Sequence, residues 1–426
     1  MKPPASNKKD VSFVTQNSLC YSCGACSVCC AAEAISFKVT NSGLLHPVID
    51  YKLCNSCGIC LDVCPAYHDL EIFPDKYGLD NLAGQALCCF LGRSLDEKIF
   101  ANSQSGGLVT ETLSFLFESR LITSALVVKM DYAVTPKPEP LRVYSPEELF
   151  QSQKSFYAPV ALLSALKDIE KMEGNLAMVG LPCHIHGLKS LVKVNQKLFG
   201  RIKYKLGLLC GGTLSFLASN YFSQRTKIKH RIIYRNKKYP NFEQAHVTLQ
   251  LLNGQILVIP REQRFWLKEI LTPPRCLLCA DKMNLYADLV FGDPWGLPNY
   301  DQLNGDSVVI SRTETGQKIA NSLVRTGKVR LQKVNYDEII KGQELAKRIK
   351  MALSCASVYK EIGLALPDSL STITLPEPEL TALRERIDLF LRLQERPLED
   401  NLRLINRIIL SKRWKQKITT FVSRLR

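Results

Sequence analysis

A long hydrophobic run is missing from this sequence of 426 residues. The longest apolar stretch, residues 206–218, contains 13 residues and is interrupted by Gly211 and Gly212. A helix that spans a bilayer needs about 20 apolar residues, so we expect no transmembrane segment. Residues 1–10 also lack the apolar segment of a secretory signal peptide. We therefore expect a cytoplasmic protein, in which thiols stay reduced.

Acidic residues are scarce relative to basic ones, with 40 Asp and Glu against 56 Lys and Arg and a formal net charge of +16. The imbalance is greatest in residues 401–426, which hold eight basic residues and no acidic one. A strongly basic protein is a candidate for nucleic-acid binding. The body of the chain has no recognition motif and no alternation of basic and aromatic residues, so we expect no nucleic-acid partner.

Cysteine, by contrast, is abundant, with 16 residues. Two runs stand near the N-terminus: Cys20-x2-Cys23-x2-Cys26-x3-Cys30 and Cys54-x2-Cys57-x2-Cys60-x3-Cys64-Pro65. This is the spacing of two-cluster bacterial ferredoxins, in which three cysteines of one run bind a 4Fe-4S cluster and the fourth binds the other cluster. The spacing predicts one ligand set of Cys20, Cys23, Cys26 and Cys64, and a second of Cys54, Cys57, Cys60 and Cys30.

Zinc is the alternative metal, since paired CxxC motifs also form tetrahedral sulfur sites. Zinc does not require two runs of three cysteines plus one, whereas the crossed cluster arrangement explains them. One position departs from the ferredoxin pattern: Ala31 stands where a proline usually follows the fourth cysteine. Cys29 offers a second thiol beside Cys30, so either of the two is a candidate ligand.

The chain divides into three predicted units: a ferredoxin-like two-cluster domain over residues 1–75, a mixed α/β core over 85–365 and a basic helical tail over 376–426. Alternating strand and helix patterns indicate the α/β core. Within it, three prolines in residues 135–140 predict a loop. An apolar pattern predicts a helix over residues 158–172, and the proline-rich segment 367–380 is a predicted linker.

Four further cysteines lie in the core: Cys183 in Gly-Leu-Pro-Cys-His, Cys210 in Leu-Leu-Cys-Gly-Gly, and Cys276 and Cys279 in a CxxC pair. The first two follow apolar, strand-like runs, at positions where loops often carry chemistry. Together the four cysteines are the number that a third 4Fe-4S cluster needs. Buried inert cysteines and a CxxC redox dithiol are the alternatives.

A small-residue loop, Ser105-Gly106-Gly107, leads into a predicted helix. Successive backbone N–H groups at such a junction, with the helix N-terminus, can bind a phosphate. An ordinary helix-capping turn is the alternative. A second motif, Gly292-Asp293-Pro-Trp295-Gly, ends a predicted strand and presents an acidic and an aromatic side chain.

Four of these elements occur in one order: Ser105-Gly-Gly107, Gly180-Leu-Pro-Cys183-His-Ile-His-Gly-Leu188, Cys276-x2-Cys279-x-Asp281 and Ala287-Asp288-x3-Gly292-Asp293-x-Trp295-Gly296. In this order they resemble the family of the beta subunit of deazaflavin (coenzyme F-420) hydrogenases and dehydrogenases. That family has relatives among ferredoxin-dependent chlorophyll-pathway reductases and proteins that accompany polysaccharide-synthesis genes. The resemblance covers residues 15–345.

The resemblance implies an iron–sulfur oxidoreductase that contains FAD on a mixed α/β core. It implies that Cys183, Cys210, Cys276 and Cys279 bind the third cluster and that Ser105, Gly106 and Gly107 contact the flavin. Residues 154–157, Lys-Ser-Phe-Tyr, are similar to a Ser-Lys-Tyr stretch of the family with the order altered. No motif specifies deazaflavin itself.

We therefore expect an enzyme in which the 4Fe-4S clusters and FAD carry electrons to a small organic substrate, with ferredoxin or another redox protein as partner. A flavin is the natural converter between one-electron clusters and a two-electron substrate. The alternatives are a non-catalytic electron-transfer subunit of a larger hydrogenase or dehydrogenase, and a redox protein associated with polysaccharide biosynthesis. No catalytic acid is evident: His184 and His186 can deliver a proton, but structural roles are the alternative.

The tail carries apolar residues at helical spacing, Trp414, Ile418, Phe421, Val422 and Leu425, opposite a basic face. Such a helix can bind an anionic membrane surface, or it can dock on the protein's own core or on a partner subunit.

Overall fold

The computed structural model describes residues 10–68, 82–367, 370 and 381–425, and for residue 381 and residues 417–425 it describes the backbone only. The predicted boundaries near residues 75 and 376 lie outside the described residues, as does almost all of the predicted linker. The side chains of the tail stripe beyond Trp414 lie outside them too.

Within residues 10–68 the N-terminal region contains one hairpin and three short helices: α1 (Ser12–Gln16), α2 (Ala25–Val28), β1 (Ile35–Val39), β2 (Leu45–Ile49) and α3 (Ile59–Asp62). Its two cysteine runs have matching backbones. Ser22 and Ser56 both have left-handed φ angles, 60° and 58°, and each precedes a Cys-Gly pair that begins a short helix. The internal repeat of the sequence is thus a repeat of structure.

The core is an eight-stranded mixed sheet with the order β13-β3-β12-β11-β7-β6-β4-β5. Its strands are β3 (Cys88–Ser94), β4 (Ser124–Met130), β5 (Pro138–Val143), β6 (Leu176–Gly180), β7 (Ile202–Leu208), β11 (Leu289–Gly292), β12 (Ser307–Ser311) and β13 (Val329–Lys333). Four consecutive strands of this order, β11, β7, β6 and β4, are parallel. A second, antiparallel sheet has the order β10-β9-β8 and consists of β8 (His230–Asn236), β9 (His246–Leu251) and β10 (Ile256–Ile259).

Helices surround both sheets. They are α4 (Glu97–Asn102), α5 (Leu108–Glu118), α6 (Pro182–Val194), α7 (Gln196–Phe199), α8 (Phe216–Ser223), α9 (Arg261–Leu271), α10 (Pro274–Leu278), α11 (Glu314–Arg325), α12 (Tyr336–Gly342), α13 (Leu345–Glu361), α14 (Thr381–Glu395) and α15 (Leu398–Leu425). The mixed α/β core and the helical tail are therefore confirmed.

The predicted loop over residues 135–140 is wrong in part, because Pro138–Val143 forms strand β5. This strand lies at the edge of the sheet and pairs only with β4. Proline is tolerated there because an edge strand has one side on which no N–H donor is needed.

The predicted helix over residues 158–172 is replaced by two short 3-10 turns, Leu162–Leu166 and Ile169–Lys171. The backbone N–H of Leu163 donates to the carbonyl of Cys23 at 3.0 Å. That donor is therefore used to hold the first cysteine run against the core, and it is not available for a continuous α-helix.

The first half of the tail docks on the body of the protein. In α14, Ile387, Phe390 and Leu393 are buried, and in α15, Ile405 and Ile409 are buried. Among the described helices, none is long and apolar enough to cross a membrane.

Candidate iron–sulfur centres and cofactor cleft

The first predicted ligand set is gathered in the interior. Burial and then the neighbouring Cys64 raise the pKa of Cys23 to about 12. Burial, with Cys64 and Cys23 close by, also raises the pKa of Cys20 far above its ordinary value. The Ser22 N–H donates to Cys20 Sγ at 3.3 Å. The structure thus brings Cys64 of the second run to the cysteines of the first, as the crossed arrangement requires.

The second set surrounds a cavity of about 290 Å³ that is lined by Cys54, Cys57 and Cys60 together with Cys29 and Cys30. The Ser56 N–H donates to Cys54 Sγ at 3.4 Å, in the position equivalent to the contact at Cys20. Cys57 is exposed, so this group lies near the protein surface.

Cys29 and Cys30 differ in their contacts. The Ala34 N–H donates to Cys30 Sγ at 3.3 Å, whereas the Cys29 thiol itself donates to the Cys26 carbonyl at 3.4 Å. Backbone N–H bonds stabilise a thiolate, which is the form that binds a metal. The contacts therefore favour Cys30 as the ligand, with Cys29 as an additional thiol in the same cavity.

The third set lies where neighbouring strands end. Cys183 begins α6 just after β6, Cys210 follows β7, and Cys276 and Cys279 belong to α10 and its C-terminal end. Burial, with Cys210 and Cys279 close by, raises the pKa of Cys276 to about 12. The Gly212 N–H donates to Cys210 Sγ at 3.4 Å.

Cys183 and Cys210 meet because β6 and β7 are parallel neighbours, so their carboxyl ends lie at one edge of the sheet. Cys276 and Cys279 also lie close enough to Cys183 to raise its pKa beyond the effect of burial. Within the described residues, no three His, Cys, Asp or Glu side chains converge on a point that would hold a single metal ion. In a 4Fe-4S cube each thiolate binds a different iron atom, so thiolates grouped around a cavity suit a cluster without meeting at one point.

The first and third groups are adjacent. Burial and then the nearby Cys23 raise the pKa of Cys183 far above its ordinary value. A methyl group on Gly187 of α6 would lie 3.5 Å from Cys23 Sγ, so α6 passes directly over the first group. Cys29, which lines the cavity of the second group with Cys57, donates to the carbonyl of Cys26 in the first group. The three cysteine groups therefore follow one another from the surface into the core.

Cations surround the third group. The Arg348 guanidinium donates to the Cys276 carbonyl, and a methyl group on Gly211 would lie 3.5 Å from Lys268 Nζ. Burial, with Lys268 and Arg348 nearby, lowers the pKa of Lys282 to about 8. These positive charges complement the negative charge that a cluster with four thiolate ligands carries.

The two candidate proton donors next to Cys183 have structural contacts. His184 is buried, its Nδ1 lies 3.2 Å from the Leu181 N–H and its Nε2 lies 3.2 Å from the Val160 carbonyl. Burial lowers its pKa to about 4. His186 bonds Asp281 at 3.0 Å and thereby ties α6 to the loop after Cys279. These contacts favour positioning roles for both rings.

The Ser105-Gly106-Gly107 loop lies at the same edge of the sheet as the third cysteine group. Close packing within the protein explains why glycine stands at these positions. A methyl group on Gly106 would lie 2.5 Å from the Gly92 carbonyl oxygen, and the Gly106 N–H donates to Ser307 Oγ at 2.9 Å. Gly107 has a left-handed φ of 77° at the start of α5. The Gly106 N–H is therefore engaged within the protein, and the loop offers fewer free donors than the predicted phosphate cradle.

Two lysines surround this loop: Lys154, from the stretch that resembles the family's Ser-Lys-Tyr segment, and Lys237, which the sequence did not single out. Lys237 Nζ donates to the carbonyls of Phe100 at 2.8 Å and Ser105 at 2.9 Å, and Lys154 Nζ donates to the Ser103 carbonyl at 3.2 Å. Burial, followed by the proximity of other cations, lowers the pKa of Lys237 to about 7 and that of Lys154 to about 8. Both amines donate to neutral oxygen atoms, so these contacts leave their positive charges available to attract a bound anion.

Gln104 precedes the loop and is only 9% exposed. Neither its side-chain oxygen nor its nitrogen has a hydrogen-bond partner among the described residues. A buried amide without partners is costly, and it is well suited to a ligand edge that carries one donor and one acceptor.

Comparison with known proteins places this architecture in a class. Residues 89–167 and 173–337 match the family models described as the N-terminal part and the C terminus of the coenzyme F420 hydrogenase/dehydrogenase beta subunit. Residues 47–67 match a 4Fe-4S binding domain. The chain is therefore an iron–sulfur protein of an oxidoreductase family. It belongs to the family of the coenzyme F420 hydrogenase/dehydrogenase beta subunit.

Relatives agree with this assignment. The chain is 28% identical to the coenzyme F420-dependent sulfite reductase of Methanocaldococcus jannaschii over 79% of its own length, and it spans half the length of that protein. It is 23% identical to one component of the F(420)H(2) dehydrogenase of Methanosarcina mazei, covering 72% of this chain and 83% of that component.

A solved structure shares the fold. A chain of the F420-reducing NiFe hydrogenase complex from Methanosarcina barkeri superimposes with a TM-score of 0.53 at 18% identity, over 68% of this chain and 97% of that chain. The predicted fold class is thereby confirmed.

Proposed function

We propose that this protein is an iron–sulfur flavoprotein oxidoreductase with three parts. Residues 1–75 hold two 4Fe-4S clusters, and residues 85–365 hold a third cluster and FAD beside a substrate cleft. Residues 376–426 form the docked tail. The observation that carries the proposal is the continuous arrangement of the three cysteine groups, with Cys23 beside Cys183. Membership of a redox family agrees with this arrangement.

The residues fit 4Fe-4S clusters by the chemistry of their donors. Each group supplies four thiols, and in each group at least one Sγ accepts a backbone N–H: Cys20, Cys54 and Cys210. The proposed ligands are Cys20, Cys23, Cys26 and Cys64 for the first cluster, Cys54, Cys57, Cys60 and Cys30 for the second, and Cys183, Cys210, Cys276 and Cys279 for the third.

A flavin dinucleotide fits the cleft beside the Ser105–Gly107 loop. Lys154 and Lys237 supply buried positive charge for its phosphates, and the partnerless Gln104 amide supplies a donor and an acceptor for the ring edge. When bound, a flavin exchanges one electron at a time with clusters and two with an organic molecule. The protein's own contribution is to hold the anionic part, orient the ring and limit access of water.

The position of the site in the sheet and the names of relatives together suggest a class of substrate. The cleft lies at the carboxyl ends of the parallel strands, where ligands bind in open α/β sheets. Several relatives carry coenzyme F420 in their names, so a deazaflavin is one small organic molecule to test as electron donor or acceptor.

A second candidate function is an electron-transfer subunit of a larger complex. It is favoured by one observation: Cys57 is exposed, so the second group lies within reach of a redox partner at the surface. The names of relatives describe subunits of a dehydrogenase and a hydrogenase. Ferredoxin or another redox protein is the proposed partner in either case.

Metal and flavin analysis of the full chain, purified without oxygen, tests the proposal. We expect about twelve iron atoms per chain, one flavin and no stoichiometric zinc. Cys276→Ser should lower the iron content to about eight atoms, while Cys88→Ser, a half-buried strand thiol outside the three groups, should leave it unchanged. Zinc in place of iron, or an unchanged iron content in Cys276→Ser, would contradict the proposal.

A further inference from the structure

Two arginines, Arg235 of β8 and Arg264 of α9, form a separate pair of guanidinium groups, and Arg235 stands two residues before Lys237. Arg235 of β8 is only 5% exposed, and its guanidinium lies 5.0 Å from the centre of the Trp295 ring and 5.3 Å from that of Phe242. Its Nη1 is paired with Asp293, the acidic residue that follows β11. The Arg235 side chain is therefore fixed from three sides.

Arg264 of α9 lies next to Arg235. Its guanidinium is 5.7 Å from the centre of the Tyr157 ring, and Tyr157 is also close enough to Arg235 to interact with it electrostatically. Burial lowers the pKa of Arg264, and the positive charge of Arg235 adds to that effect. Asp293 is a single negative charge shared by two positive ones, so the pair carries an excess of positive charge.

Two donors of this pair are unused. Arg235 Nη2 and Arg264 Nε are buried and have no hydrogen-bond partner among the residues that the structure describes. A buried guanidinium N–H without an acceptor is costly. Guanidinium groups match carboxylates and phosphates in geometry and bind them through short, charge-assisted bonds.

The pair lies between the two proposed cofactor sites. On α9, Lys268 follows Arg264 by four residues, so it lies on the same helix face, and Lys268 lies beside Gly211 next to Cys210. On the other side, Lys237 follows Arg235 by two residues along the chain and reaches the Ser105 carbonyl at 2.9 Å.

We propose that Arg235 and Arg264, with Tyr157, bind a carboxylate or phosphate group of the substrate, so that the protein acts on an anionic organic molecule. This inference rests on the proposed function, because it takes the cleft to be the place of reaction. Arg235 is held in position by Asp293, and Arg264 completes the site from α9.

Binding of inorganic phosphate to the anaerobically purified holoprotein, measured by calorimetry at constant ionic strength, tests this inference. Arg264→Gln removes a donor and a positive charge and should weaken phosphate binding roughly tenfold or more. Arg235→Lys keeps a partner for Asp293 but removes the free Nη2, and it should weaken binding as well. The control is Arg325→Gln, which removes an exposed arginine at the end of α11.

The outcomes show whether the arginine pair binds an anionic group of the substrate or the phosphates of the flavin. Weaker phosphate binding in both variants, with wild-type iron and flavin content and an unchanged control, supports the inference. Unaltered phosphate binding overturns it, and so does loss of flavin in step with loss of phosphate binding, because the pair would then belong to the cofactor. A protein that contains no flavin yet shows a phosphate site dependent on Arg264 would remove the flavin proposal and leave this inference standing.

Discussion

At the scale of single residues, backbone donors distinguish the cysteines. Cys20, Cys54 and Cys30 each accept an N–H bond at Sγ, while the Cys29 thiol donates to a carbonyl. An accepted N–H bond lowers the cost of a thiolate, and a donated S–H requires the proton to stay. The contacts therefore divide the adjacent Cys29 and Cys30 into two roles.

We predict that Cys30→Ser abolishes one N-terminal cluster, whereas Cys29→Ser retains both. The two variants are a matched pair because both side chains line the same cavity. Iron analysis and low-temperature paramagnetic resonance of the reduced proteins would measure the difference. Loss of the cluster in Cys29→Ser alone would reverse the assignment.

Lys237 gives a prediction of pH dependence. Burial, reinforced by Lys154 and Arg93, lowers the Lys237 pKa to about 7. A bound phosphate favours the charged amine, so flavin affinity should fall as the pH rises above that value. The folding stability of the flavin-free protein depends on pH in the opposite direction. The unfolded chain binds this proton more tightly, so stability rises from about pH 7 towards the ordinary lysine pKa near 10.5.

Titration of the flavin-free protein with FAD at several pH values measures this effect. Lys237→Met should weaken binding roughly tenfold near neutral pH and flatten the dependence on pH. Lys197→Met, which alters an exposed lysine of α7, should behave as wild type. The same pH dependence in Lys237→Met as in wild type would show that Lys237 does not contact the anion.

The sequence predicted the candidate cluster cysteines and, through the family resemblance, pointed to the stretch that contains Lys154, but it did not single out Lys237. Cysteine ligands are recognisable because a cluster fixes their type and spacing. Lys154, Lys237 and Gln104 come from separate segments that only the fold brings to one place. For Lys237 the available signal was its spacing from Arg231 and Arg235 of β8. Lys237 directly follows that strand at the same alternation, which predicts one cationic face.

At the scale of elements, the start of α5 is set by its contact with β3. A methyl group on Gly106 would lie 2.5 Å from the Gly92 carbonyl oxygen and 2.8 Å from the Ser307 nitrogen. The sequence could indicate a tight turn here, but it could not show that the neighbour is a strand backbone. Gly106→Val would therefore disturb the fold as well as ligand binding, so it does not test phosphate binding by itself.

We expect Gly106→Ala to lower stability by about 1–3 kcal/mol, as overpacking does. Thermal unfolding of the anaerobic protein measures this change. Gly254→Ala is the reference because a methyl group there meets nothing within 4 Å. Its left-handed backbone adds a cost of about 1 kcal/mol of its own. A Gly106→Ala protein as stable as wild type would contradict the close contact.

The tail helix α15 gives a second element-level prediction. Ile405 and Ile409 are each 1% exposed, whereas Trp414 is 68% exposed. A fully buried Ile contributes about 1.5–3 kcal/mol, so deletion of residues 398–426 should destabilise the protein or cause aggregation. Deletion of residues 412–426 removes the exposed Lys412–Glu269 pair and should cost less than about 1 kcal/mol.

Sedimentation with anionic vesicles examines the predicted membrane role of the same segment. If the intact chain binds vesicles and the chain lacking residues 412–426 does not, the basic end of α15 is the membrane contact. If neither binds, docking on the body is the role that remains for the tail.

At the scale of the whole molecule, the three cysteine groups and the cleft form one sequence of neighbours. Cys57 of the second group is exposed, and Cys29 in the same cavity contacts the carbonyl of Cys26 in the first group. Cys23 brings the first group to Cys183 of the third. The third group in turn lies at the strand ends that border the cleft. In the proposed function, this arrangement connects a surface open to a redox partner with an interior site for a small molecule.

Single-turnover electron transfer tests this connection most directly. The full chain is mixed without oxygen with a chemically reduced ferredoxin, and the absorbance of its oxidised flavin is followed in wild type, Cys276→Ser and Cys88→Ser. We predict rapid loss of flavin absorbance in wild type and Cys88→Ser. In Cys276→Ser, which keeps its flavin and both N-terminal clusters, the loss should be slower by orders of magnitude. Equal rates in all three proteins would contradict a path through the third centre, and a wild-type chain without flavin or iron would contradict the account as a whole.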